Sequence, residues 1–469
     1  MGTGTLDHPV SRRRLLQQAA GAAAVGGLAL AGCGRKAQPT TQSPIIVVTF
    51  QPYIVGGLSA SGSTSATTLV TEGVARFASE GGSKGITIKP ELFPGTSQNV
   101  SAMEAGSGPD IVCDYQYAAY VDAGLLAPIE GYLKQSGINP KVWSSSQVAV
   151  YQQDGHMYAV PAYTGIACYA VNLSLFDTAG QPYPEPSWTY TDFQGICKTM
   201  TTDVNGTHRY GGMLYQWDNM IDGSRWIFNA FGGSLMNDSG TESNLTLPQS
   251  IKAGEWMFQD MYWPGICTTR SIDYQTAFGN GTLVMRTMGS WELLPSVTAY
   301  ESLTNFKWTI LPFPLFPAGR ATYAGNQFWG LNIQSKHPEQ AWEVMAWASA
   351  STFWQTYQMQ FELVTPTLVD LWDKWISIAE AEVPSLKGQG LSWYADAAQK
   401  GYGYPPLYYK YDDSEVVSQV GSIIYQLYQQ TLTDVPEAFA SAAALVDTIE
   451  KQAAQQAAGK GSSTTSKTS

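Results

Sequence analysis

An α/β fold in two lobes is what this sequence predicts. Two observations carry the prediction. Short β-branched runs alternate with helix-patterned segments from residue 45 onward. About 410 residues separate an N-terminal leader from a polar tail, too many for one ordinary domain. Ile45-Ile46-Val47-Val48-Thr49-Phe50 reads as a buried first strand. A helix follows the Gly/Ser/Ala/Thr-rich loop 56–68, carries Val70, Val74 and Phe77 on one face, and stops at Gly81-Gly82. The run 86–92 is a second strand, and Asp110-Ile111-Val112-Cys113 a third, after the turn at 106–109. Such alternation predicts a mainly parallel sheet flanked by helices, with ligand at the carboxyl ends of strands. Further along, Leu247 to Tyr262 has helical spacing, with Ile251, Glu255, Phe258 and Met261 on one stripe. Lys307 to Pro314 ends a strand in two prolines, and Pro338 opens a helix bearing Ala341, Trp342, Met345 and Ala346. A last helix runs from Ser414, an N-cap, to about Leu432, with Val416, Val420, Ile423, Ile424 and Leu427 inward. No tandem repeat is present.

The leader has its own chemistry. Ser11-Arg12-Arg13-Arg14-Leu15-Leu16 precedes an apolar run, Ala19 to Leu30, too short and too rich in Gly and Ala to span a bilayer. Paired arginines before such a run mark the twin-arginine route, which exports folded cargo. The ending Leu30-Ala31-Gly32-Cys33 resembles the lipobox of bacterial lipoproteins, which implies cleavage after residue 32 and acylation of Cys33. Residues 33–44 then form a polar tether, and 452–469, made of Ala, Gln, Ser, Thr and Lys, a disordered tail. The expected location is extracytoplasmic, lipid-anchored to the membrane.

The net charge is −12, and grows more negative once Arg12, Arg13, Arg14 and Asp7 leave with the leader. That argues against nucleic acid or anionic lipid as ligand. Four cysteines remain after Cys33: Cys113, Cys168, Cys197 and Cys267. Their three full pairings are open, as is the reading of Cys113 and Cys168 as buried thiols. Asp203-Val204-Asn205-Gly206 opens like a calcium loop but lacks the distal glutamate, so a turn is expected. The four histidines never approach metal spacing, and neither a metal nor a cofactor is expected.

Five stretches, in order, resemble the extracellular solute-binding proteins of bacterial ABC sugar importers, the maltose-binding-protein-like group. They are Gly108 to Asp114 with Tyr120 to Ile129; Asp154 to Pro161 with Tyr169 to Asn172 and Pro186 to Thr189; Phe231-Gly232-Gly233; Phe278 to Met285 closing in Gly289-Ser290-Trp291; and Leu311 to Pro314 through Ser335 to Trp342. The resemblance implies a type II periplasmic-binding-protein-like fold. One lobe comprises 45–162 plus 309–362, the other 163–308 plus 363–451. Hinge crossings fall near Pro161–Gly165, Thr309–Pro312 and Phe361–Pro366. It also implies a monomer that is no enzyme, holds a mono- or oligosaccharide between its lobes and delivers it to an ABC permease.

Sugar rings present C–H faces to aromatic platforms and a hydroxyl rim to planar polar groups. With 15 Trp, 26 Tyr and 16 Phe the chain is 12% aromatic and only 14% charged, as such a cleft requires, although a large core also uses aromatics. Trp291, after the turning pair Gly289-Ser290, is the leading platform. Asp114, Tyr115 and Gln116 follow the third strand, where Asp114 either meets ligand or caps the next helix. Gln51 and Tyr53 follow the first strand. Tyr163 with Thr164 lies at the first crossover. Gln216, Trp217 and Asp218 pair a platform with acceptors, Gln327 and Trp329 come from the other lobe, and Tyr404, Tyr408 and Tyr409 form a late aromatic group. Two other readings stand beside this one. A surface glycoside hydrolase needs two flanking carboxylates, for which Asp218 and Glu292 are available. The same fold can also bind a polyol, a peptide or glycerol phosphate, although a phosphate wants clustered Arg or Lys, which the candidate positions lack.

Overall fold

The computed structural model describes residues 44–50, 73–80, 85–92, 94–214, 224–268, 272–404 and 413–464. The leader, Cys33, Gln51, Tyr53, Gln216, Trp217, Asp218, Tyr408 and Tyr409 lie outside them. Two units separate at Ser43, and everything below concerns the second, Pro44–Ser469.

The strands in chain order are β1 (Ile45–Phe50), β2 (Thr87–Leu92), β3 (Ile111–Asp114), β4 (Gln152–Gln153), β5 (His156–Met157), β6 (Ala159–Asn172), β7 (Thr202–Val204), β8 (Thr207–Met213), β9 (Cys267–Thr268), β10 (Leu283–Gly289), β11 (Trp308–Leu311), β12 (Thr322–Leu331) and β13 (Gly403–Tyr404). β4 and β5 form a small hairpin, and the rest join one sheet whose main path is β2-β1-β3-β12-β6-β10-β8-β7. The expected parallel start is present: β1 lies parallel to β2 and to β3, with Ile46 and Ile111 fully buried. Beyond β3 the sheet turns mixed. β12 runs antiparallel to both β3 and β6, and β10 antiparallel to β6. The chain travels out along β6 and returns along β12, so these two must oppose each other.

β6 is the spine. All 14 of its residues are buried, and at ~3.3 Å per residue it runs roughly 45 Å. Its first part, Ala159 to Ile166, pairs with β12, while its second part, Ala167 to Asn172, pairs with β10 and β11. Beyond the switch its faces feed different cores. Ala167, Tyr169 and Val171 enter one apolar cluster with Trp188, Trp226 and Phe439. Ile166, Cys168 and Ala170 enter another with Trp308, Trp372, Trp375 and Tyr394.

The helices follow their apolar spacing. In Pro338–Ala350, Ala341, Trp342 and Met345 are buried. Val416, Val420, Ile424 and Leu427 are buried in Asp413–Tyr428, with Ile423 partly so. The predicted 247–262 helix is α-helical over Pro248–Glu255 and widens to a π-helix over Trp256–Tyr262, burying Phe258 and Met261. Asp203 to Gly206 is the expected turn, joining β7 to β8 with Asn205 and Gly206 both at positive φ. The chain's end differs from expectation. Another helix, Val435–Thr464, follows the one taken as last and runs into the segment expected to be disordered. Ala, Gln and Lys are strong helix formers, and that propensity extends the backbone helix past Val446 and Ile449, its packed apolar positions. No helix among the described residues is long and apolar enough to cross a membrane.

Trp375 measures how firmly the second cluster is built. It is fully buried, donates its indole N–H to the Leu363 carbonyl at 2.9 Å and meets Trp372 and Tyr394 edge-on. Trp375→Ala is expected to cost about 3–5 kcal/mol, read from the urea unfolding midpoint.

Candidate functional site

The site forms where β6 changes partner. Gly165 and Ile166 still face Gly325 and Ala324 of β12, while the next residue, Ala167, faces Gly289 of β10. Three glycines from three strands thus meet, and the Trp291 ring lies across them. A Cβ on Gly165 would stand 2.6 Å from the ring's Cε3, one on Gly325 3.6 Å from Cζ3, and one on Gly289 would collide with it. At Gly165 and Gly289 only glycine lets the indole settle this close to backbone. The ring is half-buried and meets Tyr323 at 6.1 Å between centroids, tilted 69°.

A buried clamp holds the turn that presents Trp291. Arg286 on β10 and Glu292 are both fully buried and pair at 3.5 Å. Arg286 also donates to Ser296 Oγ at 3.0 Å and lies over the Tyr274 ring at 4.9 Å. The Glu292 carboxylate accepts the Tyr274 hydroxyl at 2.6 Å and the Gly289 amide at 3.2 Å. A 3-10 turn, Ser290–Glu292, is thereby pinned at both ends, with Trp291 in its middle.

Beside the ring lies a polar belt. Ser290 Oγ accepts the Ile166 amide at 3.3 Å and lies 3.5 Å from the Tyr163 hydroxyl and 3.3 Å from Thr365 Oγ1. Thr365 donates to the Thr164 carbonyl, and Gln147 donates to the Tyr163 carbonyl and the Thr164 hydroxyl. Burial pushes the Tyr163 phenol up to about 12, which keeps it a neutral hydrogen-bonding group.

On the other side is an aromatic cluster. Tyr163, Trp354 and Tyr357 are its buried members, and Trp291, Trp329 and Trp347 pack against it. Trp354 stacks on Trp347 at 5.0 Å and on Tyr357 at 5.8 Å, both 25° from parallel. Arg76 covers the Tyr357 ring at 3.7 Å and pairs with Glu80. Three buried polar atoms here, Gln327 Oε1, Trp329 Nε1 and Trp347 Nε1, have no hydrogen-bond partner among the described residues. Buried polar atoms left without partners are rare and ask for an explanation.

The expected residues divide clearly. Trp291, Tyr163, Gln327 and Trp329 come together: Gln327 sits opposite Tyr163 in the β12–β6 register, and Trp329 opposite Cys113 in β12–β3. Tyr115 is 48% exposed at the end of β3 and Gln116 half-exposed beside it. Asp114 is fully buried and accepts from Tyr120 at 2.7 Å, Thr96 at 2.8 Å and the amides of Tyr115 and Gln116 at 2.6 and 3.3 Å. Burial raises its pKa against those four donors, and its geometry is that of a group holding the turn into the helix Tyr117–Val121. The backbone of Tyr404, in β13, pairs beside Tyr323. Gln147, Ser290, Tyr323, Trp347, Trp354, Tyr357 and Thr365 join Trp291, Tyr163, Gln327 and Trp329 in the structure. Of these only Ser290 carried a signal, as the residue before Trp291. No group of three or more His, Cys, Asp or Glu among the described residues is placed to hold a metal ion. A surface cavity of about 480 Å³, lined by Lys141, Trp143, Ser144, Asp370 and Gln399, shares no residue with the aromatic cluster.

Two sheet halves sharing one strand, with an aromatic platform at the shared point, define a two-lobed α/β binding protein. The chain belongs to the bacterial extracellular solute-binding proteins, whose family model matches residues 61–352. It is therefore extracytoplasmic. A maltotriose-binding protein of Pyrococcus abyssi is 22% identical over 253 residues, 52% of either chain, so the match spans about half the length of that curated relative. The cyclic α-maltosyl-1,6-maltose binding protein of Arthrobacter globiformis superposes with a TM-score of 0.69 at 16% identity, covering 87% of this chain and 99% of that one. UgpB of Mycobacterium tuberculosis, solved with glycerophosphocholine, superposes with a TM-score of 0.65 at 17% identity, over 87% and 99%. At such identities these likenesses establish the fold: type II, two-lobed, with a hinge between lobes.

The clamp is testable apart from any ligand. Glu292→Gln leaves the Arg286 charge buried without its carboxylate and is expected to cost about 3 kcal/mol in unfolding free energy, read from urea denaturation.

Proposed function

We propose that this protein captures a carbohydrate between its lobes and hands it to an ABC permease. The observation that carries this is the Trp291 platform beside Trp329 and Trp347, whose indole N–H groups, with Gln327 Oε1, have no partner among the described residues. Flat apolar faces next to unsatisfied donors and an acceptor match the C–H faces and hydroxyl rim of a sugar ring. Tyr163, Tyr115 and Gln116 complete the assigned surface; Tyr404, and Gln51, Tyr53, Trp217, Asp218 and Tyr408, which lie outside the described residues, stay assigned to ligand. Asp114 holds the Tyr115 turn. The sugar ligands named for the Pyrococcus and Arthrobacter proteins support the same class of ligand.

The lobes are assigned as 45–162 with 309–362 and 163–308 with 363–451. The change of partner along β6 at Gly165–Ala167 supports the first crossing, and the Thr365–Thr164 contact supports bringing the third beside it. Closure about these segments presents the loaded surface to the permease. The protein acts as a monomer, exported by the twin-arginine signal and tethered through acylated Cys33.

No catalytic role is assigned. Glu292, one of the two carboxylates open to a hydrolase, is fully buried and committed to Arg286, Tyr274 and Gly289. A phosphate ester finds little support either. Arg76, the arginine at the aromatic cluster, is engaged with Tyr357 and Glu80.

A thermal-shift screen with mono- and oligosaccharides, cyclic ones included, and with glycerophosphocholine tests the reading. A ligand bound only by the folded state raises the midpoint by mass action. A shift with a sugar is expected; a shift confined to glycerophosphocholine, or new reducing ends from an oligosaccharide, would sink the proposal. With the sugar in hand, Trp291→Ala is expected to weaken binding by at least about 1 kcal/mol in calorimetry.

A further inference from the structure

We propose that Cys197 and Cys267 close into a disulfide outside the cytoplasm, while Cys113 and Cys168 remain thiols. Cys197 lies on the helix Tyr190–Met200 and Cys267 on β9, and both are buried. Their sulfurs are 3.7 Å apart across 70 residues of sequence. A disulfide needs about 2.05 Å between sulfurs, so the two must approach by a further ~1.7 Å.

The approach is built by glycine. β9 pairs with β8 at Gly212↔Cys267. A Cβ on Gly212 would stand 2.7 Å from the Cys197 sulfur and 3.1 Å from the Cys267 sulfur, and one on Gly211 would collide with the Cys197 backbone. With no side chain to hold it off, the helix settles onto β8 and brings its cysteine down to β9. Thr201 ties the three segments, donating to the Cys197 carbonyl at 2.7 Å, reaching the Ile266 carbonyl at 3.4 Å and accepting the Gly211 amide at 3.0 Å.

The other pairings fail on placement. β12 separates Cys113 on β3 from Cys168 on β6, so two strand spacings, at least ~9.5 Å, part them, beyond disulfide reach. Each also lies in a core cluster different from that of Cys197 and Cys267.

The oxidant is a disulfide-exchange agent, a small-molecule or protein disulfide. One cysteine thiolate attacks it and releases one thiol. The second cysteine then displaces the other thiol from the mixed disulfide. The oxidant is reduced to two thiols and the protein gains one S–S bond. Burial raises the Cys197 thiol well above its ordinary range, so the thiolate is scarce in the closed fold and oxidation of folded protein is slow.

The test uses the exported full chain, denatured and alkylated without reduction, then digested for mass spectrometry. The expected result is a peptide pair joined through Cys197 and Cys267, lighter by two hydrogens than the reduced pair, with Cys113 and Cys168 alkylated. Reduction is expected to lower the melting midpoint by about 5 °C in the wild type but not in Cys267→Ala. Protein made in a reducing cytoplasm and then exposed to oxidised glutathione should form the same link. Alkylation of all four cysteines in exported protein overturns the proposal, as does a link joining any other pair.

Discussion

One strand that serves two sheet halves is the constraint on which this molecule depends. β6 is buried along its whole length and changes partner between Ile166 and Ala167. At that point neither neighbour can supply bulk. β12 and β10 both arrive, and their backbones leave room for a single large side chain if the strands themselves carry none. Gly165 and Gly289 meet that demand, and Trp291 fills the space. The platform is thus a consequence of how the sheet is joined.

The buried Arg286–Glu292 pair follows from the same geometry. A half-buried tryptophan on a free loop would sample several rotamers. The three-residue turn is fixed instead by a carboxylate that takes both the Gly289 amide before Trp291 and the Arg286 guanidinium beneath it. Burying two charges costs several kcal/mol per ion before their attraction is counted. Apolar residues of similar volume would fill this space at less cost but would give the Gly289 amide nothing to donate to. Orientation of the ring is what the ion pair adds.

Much of the frame was legible in the sequence. β1, β2 and β3 announce themselves through β-branched runs, and the helices around Met345 and Val420 through their spacing. β6 was harder, because a strand buried on both faces shows no alternation, and Ala159, Ala162, Gly165, Ala167 and Ala170 carry little strand preference. The helix Val435–Thr464 packs through Val435, Phe439, Val446 and Ile449 and runs on into the Ala- and Gln-rich segment after 451, whose composition reads as a tail. Within the site, Trp291 could be read from its Gly-Ser lead-in. The polar belt could not, since Gln147, Ser290 and Thr365 come from three distant segments that meet against β6. Trp347 and Trp354 carry no signal of their own in the sequence, and only their placement beside Trp329 sets them apart.

In the proposed receptor the same junction links capture to closure. The chain changes sheet halves at Gly165–Ala167, and Thr365 from the third crossing donates to the Thr164 carbonyl one residue before it. Trp291 lies against Gly165 on β6 and Gly289 on β10, with Gly325 of β12 close by. A ligand ring stacked on the indole therefore bears on the strands that join the two sheet halves. Because the indole is seated on backbone with no intervening side chain, a small tilt of either half changes the platform's angle. Ligand that prefers one tilt then prefers one arrangement of the halves, which is the differential affinity a hinge needs in order to respond to its ligand.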